Sequence, residues 1–378
     1  MSLAMKLTIE RTALLKSLAH VQSVVERRST IPILSNVRIE AASAGEVKLT
    51  ATDMDLAIVE AAAASVARSG ATTTSAHTLY DIVRKLPEGS QLEFAPAGGA
   101  DGRLILRSGR AKYELPCLPV EDFPIMAEGE LPYEFELPAA DLRRLIAKTR
   151  FAISTEETRY YLNGIYLHAA VAEGQGRLRA VATDGHRLAR VDVALPDGAA
   201  GMPGVIVPRK AVGELAKLIE ESDGAVAIAL SDSKIRFGLG SATLTSKLID
   251  GAFPDYERVI PAGNDRTLTV ANKALRDAVD RVSTISTEKS RAIKLALAKD
   301  RLVISAASPE AGSGTEELDA SYDGTPIEIG FNARYILDTT DQIDGQDISF
   351  VLSDAASPSL VRDSADAGAV YVIMPMRV

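Results

Sequence analysis

One cysteine, Cys117, is all the thiol chemistry the 378 residues contain. A single cysteine excludes an intrachain disulfide and any cysteine-rich zinc site, and it fits a reducing, cytoplasmic location. The four histidines, His20, His77, His168 and His186, are scattered without metal-ligand spacing, so neither a metal nor another cofactor is expected. No apolar run approaches the roughly 20 residues of a membrane-spanning helix. The stretch from Met1 to Met5 lacks a basic segment followed by a long apolar core, so no secretory signal is read there. Met1 and Met5 are both candidate starts, the first four residues being either native or an addition. Positive charge is also in short supply: 42 Lys and Arg stand against 51 Asp and Glu, a net charge of −9. Taken alone, that balance argues against nucleic acid, because phosphate binding needs positive potential. The objection fails if cations gather on one face and acids lie elsewhere.

What is present in quantity is apolar material, 46% of the chain, enough for two or three globular domains at this length. A repeat organises it. Amphipathic helices are predicted at 13–25, 141–153 and 274–286, with apolar residues at helical spacing such as Leu14, Leu18, Val21 and Val25 in the first. A second set lies at 79–86, 211–219 and 334–343. The segment TATDMDLA (50–57) is echoed by VATDGHRLA (181–189), and each unit closes on a similar strand-like segment, at 109–124, 240–254 and 368–376. Short β-branched runs, among them Val37–Ile39, Leu178–Val181 and Ile348–Leu352, lie between the helices and are punctuated by Gly, Asp and Ser. Three α+β domains are expected, at 1–132, 133–264 and 265–378, each with two helices packed on antiparallel sheets.

The basic residues favour the helices. On a helical wheel Arg143, Arg144, Lys148 and Arg150 gather opposite Leu142, Leu145, Ile146 and Thr149. Arg84 and Lys85 lie off the Leu79–Ile82–Val83–Leu86 stripe, and Arg209, Lys210 and Lys217 off the Val212–Leu215–Leu218–Ile219 stripe. One such face is ordinary solvated surface; its recurrence through two repeats points to a phosphate-facing surface. The third repeat carries Asp338, Asp341 and Asp344 instead. The run Thr183-Asp184-Gly185-His186-Arg187-Leu188 contains an Asp–His pair, but no second acid–base cluster accompanies it, and Asp-Gly is a turn signal. No catalysis is expected. A repeat scaffold without DNA is the competing reading, and the basic helices weigh against it.

Seven blocks in order carry a resemblance over essentially the whole chain: PILSN (32–36), RYYLNG (159–164), VATDGHRLA (181–189), VIVPRK (205–210), TSKLIDGAFPDYERVIP (245–261), EIGFNARYILD (328–338) and MPMR (374–377). The sequence resembles the bacterial DNA polymerase III beta subunits, the sliding clamps. The resemblance implies three DNA-clamp domains per chain and a head-to-tail dimer forming a six-domain ring. It implies a processivity factor that encircles duplex DNA without reading its sequence. The implied partners are the replicative polymerase catalytic subunit, the clamp loader, and other polymerases and repair proteins carrying short linear motifs; no membrane is involved.

The same resemblance assigns residues. A partner-peptide cleft is implied at Leu162, Thr183, His186, Arg187, Leu188, Pro254, Arg258, Val259, Asn332, Tyr335, Val372, Met374, Pro375 and Met376. Adaptable Met and Leu with Arg and His at the rim suit a short amphipathic peptide. DNA contact is expected from Arg28, Arg84, Lys85, Arg143, Arg144, Lys148, Arg150, Tyr160, Tyr161, Arg209 and Lys210. The dimer interface is implied at Arg107, Arg110, Lys112, Tyr113 and Leu115 on one face, and at Thr284, Ile285, Glu310, Glu316 and Glu317 on the other. Apolar residues flanked by complementary charge suit an edge-strand contact.

Overall fold

The computed structural model describes residues 5–27, 29–42, 45–97, 102–127, 129–286 and 291–377. The alternating runs become strands whose inward residues are buried, as in Arg301–Ser308, where Leu302, Ile304 and Ala306 face the core. The helices are Arg11–Gln22, Ala76–Lys85, Ala139–Ala147, Arg209–Glu220, Asn272–Ser283 and Ala333–Thr340. Several begin on a side-chain cap: Glu10 accepts from the Ala13 N–H, Ser75 from Thr78 and Asn332 from Arg334.

Internal contacts divide the chain into two units. The first holds the described residues of Met1–Leu142, Asp197–Met202 and Lys210–Leu248. Its larger sheet runs in the order Tyr133–Pro138, Ala225–Leu230, Lys234–Leu239, Ala242–Lys247, Leu56–Ala63, Glu46–Thr52, Asn36–Ala42, Gly70–Ser75. Strands of the first and middle repeats thus share one sheet, joined where Ala242–Lys247 pairs antiparallel with Leu56–Ala63. Helices Arg11–Gln22 and Ala76–Lys85 pack together through Leu14, Leu18, Leu79 and Val83, all at most 2% exposed. A smaller sheet, Ser65–Arg68, Lys6–Glu10, Gln91–Pro96, Arg103–Ser108, Ala111–Pro116, ends on an unpaired edge strand among the described residues.

The second unit holds the described residues of Arg143–Pro196, Pro203–Arg209 and Ile249–Val378. Its larger sheet joins the middle repeat to the third where Arg187–Ala194 pairs with Asp366–Ile373. The full order is Val205–Pro208, Gly164–Ala172, Gln175–Thr183, Arg187–Ala194, Asp366–Ile373, Ser359–Asp363, Asp347–Leu352, Arg266–Ala271, Ser321–Tyr322. Helices Asn272–Ser283 and Ala333–Thr340 pack on each other. The remaining sheet is ordered Gly312–Asp319, Arg301–Ser308, Ala292–Ala298, Ile327–Asn332, and among the described residues Gly312–Asp319 is an unpaired edge.

The helix expected over 141–153 is shorter than its sequence pattern. It ends at Ala147, and a separate 3-10 turn lies at Arg150–Ala152. The Thr149 hydroxyl donates to the Leu145 carbonyl at 2.6 Å and the Thr149 N–H to Ile146, which tightens the last turn and ends the helix. The wheel therefore misplaces the residues beyond Ala147. Lys148 is 7% exposed: its Nζ donates to the Gln342 carbonyl at 2.9 Å and pairs with Asp344 at 2.7 Å and Asp366 at 3.2 Å. Arg144 joins Asp366 through two nitrogens and the Asp192 carbonyl through a third. Neither is the outward cation that the wheel implies.

Candidate functional site

The turn between Gln175–Thr183 and Arg187–Ala194 is held by its own side chains. Thr183 Oγ1 donates to the Arg187 carbonyl at 2.7 Å and accepts from the Gly185 N–H at 3.1 Å. One Asp184 carboxylate oxygen accepts from the His186 and Arg187 N–H groups at 2.9 and 3.0 Å. Gly185 sits at φ +88°, and a Cβ there would lie 2.5 Å from Arg159 Nη1. Glycine takes that angle without strain, and any larger residue would displace the Arg159 guanidinium. The Asp–His pair is thus a structural turn.

Beside this turn lies a cavity of about 220 Å³ lined by Arg159, Tyr161, Leu162, Thr183, Gly185, Arg187, Leu188, Pro254, Tyr256, Val259, Val372 and Met374. Its floor is part of a cross-strand row: Thr183 pairs with Leu188 and Leu188 with Val372, and the row continues beyond the lining to Leu360. Leu188, Val372, Leu360 and Tyr256 form one buried apolar cluster with Val181 and Val370. The wall is a 3-10 turn, Tyr256–Val259, in which Tyr256 is buried and Val259 is 43% exposed. Behind the wall, the Tyr256 hydroxyl meets Arg179 Nη1 at 3.1 Å and His168 Nε2 at 3.0 Å, while Arg179 forks onto both Asp192 oxygens at 2.7 and 2.9 Å. The Asp192 hydrogen bonds hold the Arg179 guanidinium firmly protonated. Burial lowers the His168 pKa and raises that of the Tyr256 phenol.

Of the implied cleft residues, Leu162, Thr183, Arg187, Leu188, Pro254, Val259, Val372 and Met374 line the cavity. His186, Arg258, Asn332, Tyr335, Pro375 and Met376 lie outside its lining. His186 is exposed and stacks on Tyr335 at 6.3 Å between centroids, and its carbonyl accepts the Met374 N–H at 2.8 Å. Arg258 has an 86% exposed side chain paired with Asp255. Asn332 caps a helix, and the Met376 N–H bonds the Gly330 carbonyl. Tyr335 lies under the Arg187 guanidinium at 4.6 Å, which also donates to Asp338 and to the Phe151 carbonyl. The cavity adds Arg159, Gly185 and Tyr256 to the sequence-based set. Tyr161, which the resemblance places at DNA, also lines the cavity. All four lie within the blocks that carry the resemblance: Arg159 and Tyr161 in RYYLNG, Gly185 in VATDGHRLA and Tyr256 in TSKLIDGAFPDYERVIP.

The residues expected at DNA separate by environment. Arg28 lies outside the described residues. Lys85, Arg150 and Arg209 are exposed, and Tyr160 is 53% exposed. Arg84 is exposed and pairs with Asp81, while Lys210 is exposed and pairs with Asp53 and Glu26. Arg143 is partly buried and engaged. Arg144 and Lys148 are committed to Asp366, and Lys148 to Asp344 as well.

The implied interface residues fall on the two edge strands and their flanks. On Ala111–Pro116, Lys112 is exposed and pairs with Glu114, Tyr113 is half-buried and Leu115 is buried. Arg107 and Arg110 are exposed beside it. On Gly312–Asp319, Glu316 pairs with Arg281 and Glu317 with Arg301. Ile285 lies 3.2 Å from a Cβ placed at Gly314, and Thr284 and Glu310 are exposed.

Tandem α+β repeats joined through shared sheets, with an apolar peptide-sized cavity, define the DNA-clamp class of replication accessory proteins. Family models of the DNA polymerase III beta subunit match in series: the N-terminal domain over residues 5–127, the central domain over 136–255 and the C-terminal domain over 257–377. The chain is 52% identical to the beta sliding clamp of Caulobacter vibrioides over 374 residues, covering 99% of this chain and 100% of that one. It is 39% identical to the Escherichia coli K12 clamp over 375 residues, again 99% and 100% covered. The crystal structure of the C. crescentus clamp superposes with a TM-score of 0.97, at 52% identity and complete coverage of both chains. A Bartonella birtlesii clamp bound to griselimycin gives 0.96 at 51% identity, covering 99% of this chain and 100% of that one. The chain belongs to the DNA polymerase III beta subunit family: it is a DNA sliding clamp, a non-catalytic processivity factor of the replicative polymerase.

Proposed function

We propose that the cavity beside Leu188 and Met374 is where this clamp takes short linear motifs of polymerases, the clamp loader and repair proteins. The observation that carries the reading is an apolar lining in which Leu188 and Val372 pair across strands, with Arg159 and Arg187 lining the same cavity. Apolar side chains of a peptide fill the floor, and the Arg159 guanidinium meets its carbonyl or amide oxygens. His186 and Arg258 act from outside the mouth. Asn332, Tyr335, Pro375 and Met376 support it.

Two chains close a ring by pairing the edge Ala111–Pro116 of one with Gly312–Asp319 of the other, since exposed backbone donors and acceptors on an edge strand invite a partner strand. Arg107, Arg110 and Lys112 then face Glu310, Glu316 and Glu317, with Tyr113 and Leu115 against Ile285 and Thr284. Duplex DNA passes through the ring without base readout, held by the exposed cations Arg84, Lys85, Arg150, Arg209 and Lys210 with Tyr160. The repeats divide near 132 and 264, and the protein works in the cytoplasm. Retention on nicked circular DNA that is lost when the circle is cut tests this reading. Equal retention on cut and closed DNA overturns it.

A further inference from the structure

The first unit carries a groove of about 780 Å³ on one face of its eight-stranded sheet. Pro124, Ile125 and Met126, from the connection after the first repeat, line it together with residues of the sheet. The floor is one cross-strand row: Ala57 pairs with Thr245, Thr245 with Arg236, Arg236 with Ala229, and Ala229 with Glu134. Arg38 and Glu136 stand at opposite ends of the adjoining row.

This row is the counterpart of the cavity floor. The turn before Leu56–Ala63 has the same bonds as the turn before Arg187–Ala194: Thr52 Oγ1 donates to the Leu56 carbonyl, and Asp53 accepts from the Asp55 and Leu56 N–H groups. Thr52 pairs with Ala57 as Thr183 pairs with Leu188. Register then sets Ala57, Thr245 and Arg236 at the places of Leu188, Val372 and Leu360. Pro124 and Pro254, each following a phenylalanine, line the two sites alike. The chemistry has changed: an apolar row has become a methyl, a hydroxyl and a guanidinium.

That guanidinium is unspent. Arg236 has no ion-pair partner among the described residues, and the Arg38 Nε is buried without a hydrogen bond while its Nη2 holds Glu40 at 2.9 Å. A guanidinium that lines the groove without a counter-charge favours an occupant that brings a carboxylate. Glu134 and Glu136 at the far end call for a cation. Adjacent strands are about 4.8 Å apart, so Arg236 and Glu134 lie roughly 10 Å apart along the row, about three residues of extended chain. Ile125, 70% exposed, supplies an apolar anchor beside them.

We propose that this groove is a second docking site on the clamp, for an extended segment of a partner protein with an acidic residue three positions from a basic one and an apolar residue between them. The clamp would then hold two segments at chemically distinct sites.

The methionine methyl groups report on both sites in the intact protein, Met126 in the groove and Met374 in the cavity. In ¹³C-methyl methionine NMR, the probe acetyl-Ala-Asp-Val-Ala-Lys-Ala-amide at millimolar concentration shifts Met126 saturably and leaves Met374 in place. Its Asn/Gln analogue does not. Arg236→Gln and Ile125→Asp each weaken the shift by about tenfold, with thermal melts showing both variants folded; Ile125 is exposed enough for its variant to fold. A Met126 signal that stays still, moves equally with the neutral analogue, or moves on concentrating the protein alone overturns the proposal. Binding reported at Met374 bears on the first site only, so failure at one leaves the other standing.

Discussion

The Tyr256 hydroxyl lies 3.1 Å from Nη1 of Arg179, on the side of Tyr256 turned from the cavity. Arg179 is therefore a positioning residue: it fixes the wall of the peptide cavity without lining it. Its own charge is balanced by Asp192 and, at 2.9 Å, by Glu257. Replacing Arg179 by Met removes the ion-pair partner of Asp192, and loss of one partner of such a buried pair costs about 3–5 kcal/mol. A lower melting temperature is expected, with weaker peptide binding in the fraction that remains folded. Asp192→Asn, which keeps a hydrogen-bond acceptor for Arg179, should lose less of both. Equal loss in the two variants would show that the pair does not orient the wall.

Peptide affinity should concentrate on the cavity floor. Met374→Ala and Leu188→Ala each remove apolar contact and are expected to weaken a Gln-containing linear-motif peptide by about 1–3 kcal/mol. Arg258, whose side chain is 86% exposed, should cost far less when changed to Ala. Fluorescence anisotropy titrations, with melts run in parallel, decide between the floor and the rim.

Lys148 and Arg144 should prove structural. Asp363 is 4% exposed and Lys148 is its ion-pair partner, so Lys148→Ala leaves that buried carboxylate without a cation and Asp366 with Arg144 alone. The expected result is a fall in melting temperature with unchanged retention of loaded, folded protein on DNA. Combined alanine substitution at the exposed Arg150 and Arg209 should give the reverse, a salt-dependent loss of DNA contact without a stability change.

His20 gives the first unit a pH dependence. Its Nδ1 lies 2.9 Å from Glu60, which is 2% exposed and also accepts from Ser241, and its Nε2 lies 3.3 Å from Glu221. The hydrogen bond to Glu60 is the main reason its pKa stands above the ordinary imidazole value. A raised folded-state pKa stabilises fully below the unfolded value of about 6.5, and the gain disappears as pH rises through the folded value. Melting temperature should therefore fall as pH climbs from about 6.5. His20→Gln should flatten that slope; an unchanged slope would assign it to other groups.

Much of this was legible in the chain because local pattern and tertiary outcome agree. Leu14, Leu18 and Val21 face inward as their spacing predicts, and Asp184-Gly185 makes the turn its composition calls for. What was hidden depends on distant residues. Lys148 looks like a surface cation until Asp344, Asp363 and Asp366 arrive from the far end of the sequence. Arg159 enters the cavity because Gly185 leaves it room, a relation that no periodicity encodes. The turn motif recurs a third time at Asp354, which accepts from the Ala356 and Ser357 N–H groups. With Ser353 in place of the threonine, that third copy no longer reads as TD, and only the aspartate's hydrogen bonds survive.

The pairing of Ala242–Lys247 with Leu56–Ala63, and of Arg187–Ala194 with Asp366–Ile373, bears on how the chain can be cut. A gene fragment trimmed at a repeat boundary would look like a self-contained module by sequence. It would be born with a severed ladder. The middle repeat on its own would expose both Ala242–Lys247 and Arg187–Ala194 as long bare edges, each a template for the wrong neighbour. Insoluble single-repeat fragments and soluble full-length chain are the expected pair of results in expression trials. The smallest piece of this protein able to exist alone is larger than the piece that was duplicated to make it.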